Sequence, residues 1–122
     1  MTSIMTDLVA CISDNEKARE HIKNLIEGQQ WGKVFLIGSN FAKANFTCAN
    51  DFEFIEIDSK EAISHLIKII QYGLKGKLND IDVALNIVCG PGKEHMAVLS
   101  ALLKLGLGIR LVAATKDGVT EL

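Results

Sequence analysis

Apolar and polar positions along the chain follow two different periods, and the change from one to the other marks out the elements. Short apolar runs at Asp7–Ile12, Lys33–Ile37, Val83–Val88 and Ile109–Ala113 have the length and content of buried strands. Between them, apolar residues recur every three or four positions. Ala18, Ile22, Leu25 and Ile26 share one helical face, Ile63, Leu66, Ile67, Ile70 and Leu74 a second, and Met96, Leu99, Leu102, Leu103 and Leu105 a third. Glu53–Ile57 alternates acidic with apolar side chains, as expected of an outer, half-exposed strand. Residues 41–50 repeat too weakly for more than a short helix or irregular crossover.

Stop and start signals agree with this division. Ser13 with Glu16, and Asp58 with Glu61, match capping boxes, while Gly28 and Gly106 end helices. Lys75 and Lys77 suit a helix end, where cations offset the dipole. Lys116-Asp117-Gly118 is a hairpin turn from which Val119–Leu122 pairs back. The order β-α-β-(α)-β-α-β-α-β-β predicts a single α/β domain over residues 1–122. It has a Rossmann-like, mostly parallel sheet with helices on both faces and a C-terminal antiparallel edge hairpin. The sequence stops inside its last strand, which predicts either a minimal protein or a piece of a longer one.

In such a sheet ligands sit beyond the carboxyl ends of the strands, near the switch in strand order. Three loops at that rim share a theme: Ser13-Asp14, Gly38-Ser39-Asn40 and Gly90-Pro91-Gly92-Lys93. All are small and polar. The third, a strand–turn–helix junction, favours an anion, because free N–H groups, the positive end of a helix dipole and the Lys93 charge all meet there. It is neither a Walker A sequence nor a G-x-G-x-x-G fingerprint, since Glu94 follows Lys93 and no third glycine comes after. An ordinary turn with a solvated Lys93 is the competing reading. Ser13 is likewise a helix cap or a ligand contact, and the two roles are compatible.

Composition narrows the partners. The chain has 122 residues, 48% of them hydrophobic and 23% charged, with one proline, as in a globular domain. A formal charge of −2 offers no general attraction to nucleic acid, so no direct DNA binding is expected and an anion site must be local. No apolar run reaches the roughly 20 residues of a membrane span, and Met1–Thr6 lacks the pattern of a secretory signal, so a cytoplasmic location is the default expectation. Cys11, Cys48 and Cys89 lack disulfide or zinc spacing and read as buried thiols, Cys89 being the candidate for reactivity. His21, His65 and His95 fall on three different helices. Neither a metal nor a cofactor is called for.

The element order, the hydroxyl after the first strand, and the strand-then-Gly90-x-x-Lys93-x-x-Met96 turn entering an apolar helix resemble the CRISPR-associated Rossmann-fold (CARF) family, stand-alone or truncated. The hairpin fits as well. Where the family usually has Gly-Thr-Lys, this chain has Gly90-Pro91-Gly92-Lys93 and loses the hydroxyl. The resemblance implies a homodimer whose joined clefts hold a cyclic oligoadenylate, a ligand whose symmetry suits a two-fold axis. It implies ligand contacts from Ser13, Asp14, Gly38, Ser39, Asn40, Gly90, Pro91, Gly92, Lys93 and His95. Some members, the ring nucleases, also cut the ligand without metal by attack of a ribose 2′-hydroxyl on the adjoining phosphate. Ser13 and Lys93 match their catalytic hydroxyl and lysine, with His95 the one nearby candidate base. Relatives carry a winged-helix or nuclease domain after the hairpin, a segment this sequence does not include. A structural or interaction domain without small ligand, and an unrelated small-molecule enzyme on the same fold, are the other readings.

Overall fold

The computed structural model describes residues 5–79 and 81–122; residues 1–4, part of the stretch read for a signal, lie outside the described residues. Strand β1 (Leu8–Cys11) has all four residues fully buried and runs parallel to β2 (Val34–Gly38) on one side and β4 (Asp82–Asn86) on the other. With β3 (Glu53–Glu56), β5 (Gly108–Thr115) and β6 (Gly118–Glu121) the sheet order is β3-β2-β1-β4-β5-β6, and only β6 is antiparallel. Helices α1 (Glu16–Glu27), α2 (Asn40–Ala44), α3 (Ile63–Leu74) and α4 (Gly92–Lys104) connect them. This is the mostly parallel α/β sheet with an edge hairpin that the periodicity predicts.

Side-chain alternation along the strands builds two cores. Val9, Cys11, Phe35, Ile37, Val83 and Leu85 pack under α3 and α4, against Leu66, Ile70, Leu74, Val98 and Leu102. Leu8, Ala10, Ile12, Leu36 and Ala84 face the other way, onto Ile22, Leu25 and Ile26 of α1 and Ala42 of α2. A strand covered on both faces has no polar side to show, which is why β1, β2 and β4 read as unbroken apolar runs. The helices of β1→β2 and β2→β3 thus lie on one face and those of β3→β4 and β4→β5 on the other. The order reverses between β1 and β4.

Several local expectations are corrected. Asn15, not Ser13, caps α1, its side-chain oxygen accepting from the Ala18 N–H at 3.1 Å, while Ser13 Oγ accepts from the Asn15 N–H at 3.3 Å. A short amide one residue before the helix is as good a cap as a hydroxyl, so the Ser13/Glu16 spacing was coincidental. Asp58 does not cap α3, which begins at Ile63 after Ala62 with no side-chain cap; its carboxylate accepts from Lys60 N–H at 2.9 Å in a local turn. Strand β4 ends at Asn86 rather than Val88, because the Asn86 side-chain oxygen accepts from the Val88 N–H at 3.3 Å and turns the chain. Met96 was expected in the core and is 61% exposed; α4 instead buries Glu94, Ala97, Val98, Ala101 and Leu102. Small residues on that face let α4 lie close against α3. Among the described residues no helix is long and apolar enough to cross a membrane.

At the rim away from the strand carboxyl ends, buried Asp7 ties three segments together. Its Oδ1 accepts from Lys33 N–H at 2.7 Å, its Oδ2 from Asn79 N–H at 2.8 Å, and its backbone carbonyl from Ala84 N–H at 2.9 Å. Asp7→Ala would leave two backbone donors without an acceptor, and urea unfolding is expected to show a loss of about 2–3 kcal/mol, with Asp7→Asn in between.

Candidate functional site at the strand carboxyl ends

A crevice opens beside β1 because its two neighbours let go at different points. Pairing with β4 ends at Ala10↔Asn86, whereas pairing with β2 runs on to Cys11↔Ile37 and the Ile12 N–H still donates to Ile37 O at 2.9 Å. Gly38 allows that extension. A Cβ there would stand 2.6 Å from Ile12 O, a distance no side chain tolerates.

The crevice forms a cleft of about 240 Å³ lined by Ile12, Ser13, Asp14, Ser39, Ser59, Pro91 and Glu94. An adjoining cleft of about 300 Å³ shares Asp14, Ser39 and Ser59 and adds Asn40, Phe41, Glu56, Ile57 and Asp58. The structure therefore brings together Ser13, Asp14, Ser39, Asn40 and Pro91 from all three predicted loops. A larger concavity of about 530 Å³ lies between α1 and the hairpin, lined by His21, Asn24 and Thr115 among others. We place the site at the smaller cleft, because it sits where the strand order reverses and α/β sheets present their ligands.

The loops are braced against each other. Ser39 Oγ donates to the Asp14 carboxylate and accepts from Ala42 N–H at 3.1 Å, so the β2 loop is fastened to the β1 loop and caps α2. Lys93 Nζ donates to Ser59 O at 2.9 Å, drawing the β3–α3 loop toward the start of α4. Gly90 takes φ +97, which favours glycine, and a Cβ there would come 3.0 Å from Glu94 Oε2. Gly92 has ordinary φ and nothing within 4 Å, so Gly90 is the glycine this turn requires and Gly92 is not.

Two of the predicted residues are turned to other tasks. The His95 ring nitrogen Nε2 donates to Cys89 O at 2.8 Å, bracing the turn, and His95 is not among the residues lining either cleft. Lys93 stands at the rim on Ser59 O rather than among the lining side chains. Glu94 and N–H of His95 complete the first turn of α4 by donating from backbone N–H to Pro91 O at 3.1 and 3.2 Å. That leaves the backbone N–H groups of Gly92 and Lys93 without a partner among the described residues.

Glu94 and Ser59 were missed by the sequence reading. Glu94 is only 7% exposed, and its carboxyl has no hydrogen-bond partner among the described residues. Burial pushes its proton affinity up, with His95 opposing, nearby Asp14 adding and Lys93 opposing. Its place three residues after Pro91, on the face of α4 that continues through Ala97, Val98 and Ala101, was the available signal. Cys89, expected as the reactive thiol, is 4% exposed and donates to Ala18 O at 3.5 Å; burial raises its proton affinity. Cys11 is pushed up to about 12, chiefly by burial, then by Glu94 and Cys89. Neither is poised as a nucleophile.

Compared with known proteins, the chain matches no family model and no curated protein. Among the described residues no cluster of His, Cys, Asp or Glu could hold a metal ion.

Two outcomes follow from these environments. A carboxyl whose proton affinity is higher folded than unfolded gives stability that is complete below its ordinary 4.5 and is lost as pH rises through the folded value. Glu94→Gln is therefore expected to melt above the wild type near neutral pH, with the difference fading below that ordinary value. With a disulfide reagent, half-buried Cys48 is expected to react in the native protein, while Cys11 and Cys89 react only in denaturant.

Proposed function

We propose that this chain is a CARF-like sensor domain that binds a cyclic oligoadenylate, or a related nucleotide anion, at the strand carboxyl ends of a homodimer. The observation that carries the reading is the convergence of Ser13-Asp14, Ser39 and Pro91-Glu94 on one cleft at the point where the strand order reverses. Two unpartnered N–H groups at the start of α4, with Lys93 beside them, supply the positive potential that a phosphate needs. A volume of about 240 Å³ is below the roughly 300–1,000 Å³ of a pocket for a whole drug-sized ligand. One copy then holds part of the ring and its partner the remainder. Val88 and Met96, on either side of the turn, are 60% and 61% exposed and give apolar surface beside the cleft for the second copy.

Cleavage of the ring ranks below binding in this reading. Ser13 Oγ already accepts from Asn15 N–H, and the one imidazole nearby, His95, is held on Cys89 O instead of at the cleft.

Cyclic tetra- or hexa-adenylate is expected to stabilise the protein by about 2.7 kcal/mol at a hundredfold excess over Kd. Native mass spectrometry should show a dimer carrying one ring. Lys93→Ala is expected to weaken binding about tenfold, by removing one charge-assisted phosphate contact. A wild type whose melting neither ring shifts would overturn the proposal.

A further inference from the structure

Asn86 ends the apolar stretch of β4 and is only 1% exposed. Two backbone groups fix which way its amide faces. The oxygen accepts from Val88 N–H at 3.3 Å, and the nitrogen donates to Val112 O at 2.9 Å. The same nitrogen lies 3.2 Å from His21 Nε2 on α1. An amide nitrogen can only donate, so Nε2 accepts and the proton of the ring sits on Nδ1. That Nδ1–H has no partner among the described residues.

His21 lines the concavity of about 530 Å³ between α1 and the hairpin, within the roughly 300–1,000 Å³ of small-molecule sites. It shares no lining residue with the clefts at the strand ends. Gly28 lets the hairpin lie close to α1 here, since a Cβ would stand 2.8 Å from Val119 Cγ2. Ala114 and Val119 make part of the wall apolar. Thr115 Oγ1 closes its own turn, donating to Gly118 O at 3.0 Å and accepting from Asp117 N–H at 3.2 Å. Among the described residues, the side chains of Asn24 and Lys116 are engaged by no hydrogen bond or ion pair, and no carboxylate lines the concavity.

We propose that this concavity is a second binding site, for a small organic anion. A carboxylate or phosphate is held by His21 Nδ1–H, Asn24 and Lys116, with the apolar body of the molecule against Ala114 and Val119. Asn86 touches no ligand. It is a positioning residue that keeps the ring proton on the nitrogen that donates. The site is independent of the nucleotide-binding reading above.

Nitrogen-15 NMR of the imidazoles at mildly alkaline pH, followed by titration with phenyl phosphate and with benzoate, tests the assignment. Before either is added, His21 is expected to show a protonated Nδ1 and a bare Nε2; the reverse tautomer removes the donor and overturns the proposal. At least one of the two anions should then shift the signals of His21, Asn24 and Lys116 to saturation while Ser13 and Ser39 stay unmoved. Which of them does so tells carboxylate from phosphate. Benzylamine, with a similar body and the opposite charge, should leave all of them in place. Lys116→Ala, on an exposed turn, is expected to weaken binding about tenfold, the scale of one charge-assisted hydrogen bond. Asn86→Ala, confirmed folded by its amide spectrum, releases Nε2, so both tautomers should appear and binding should fall with the fraction of rings lacking the Nδ1 proton. A tautomer unchanged in that variant removes the positioning role. Lys116→Ala decides the site by itself if Asn86→Ala does not fold. If neither anion binds, or if Lys116→Ala binds as the wild type does, His21 and Asn86 only brace α1 against β4.

Discussion

The constraint behind the whole rim is that β1 is hydrogen-bonded on both sides by parallel strands whose connecting helices lie on opposite faces. A buried parallel strand must satisfy its backbone through its neighbours, and β1 does so with β2 and β4 while every one of its side chains is buried. Once the chain has gone from β1 outward through β2 to β3, it can return only by a long crossover, α3, to the free side of β1. The loops leaving β1 and β4 then diverge to opposite faces, and a gap between them is unavoidable. The contact of Gly38 with Ile12 closes the corresponding gap on the β2 side, so the cleft lined by Ser13 and Glu94 opens between β1 and β4, with the adjoining one over the ends of β2 and β3.

What lines that opening is set by the first turn of α4. Gly90 at positive φ turns the chain sharply enough for Glu94 to fold back against it, and Lys93 on the neighbouring helical position reaches the other way to Ser59. Adjacent residues on a helix point about 100° apart. One therefore faces the interior of the cleft and the other its edge, which separates a carboxyl from an ammonium by geometry alone.

Much of this was legible in the sequence, and the exceptions have physical causes. The element order follows from the alternating periods, and right-handed crossovers that run outward from β1 in both directions place helices on both faces of the sheet. The meeting of Ser13, Asp14, Ser39 and Pro91 follows from topology, since all leave strands at the same rim. Periodicity misjudged Met96, because an apolar residue at a helix start fits either face and the row through Glu94, Ala97 and Ala101 looks less hydrophobic than it is buried. Small residues carry that packing by letting helices approach, a property hydropathy does not register. Asn86 was visible only as an oddity in an apolar strand. Its amide donates to Val112 O at 2.9 Å and to His21 Nε2 at 3.2 Å while its oxygen turns the chain, three long-range and local bonds that no spacing rule encodes.

Lys93 and Glu94 together change what an anion-binding turn means here. A lysine after a glycine-rich turn suggests a site uniformly attractive to phosphate, and such a site would gain nothing from a buried carboxyl one residue later. Lys93 Nζ and the free amides of Gly92 and Lys93 lie at the edge, while Asp14 and Glu94 place two carboxyls among the serines that line the interior.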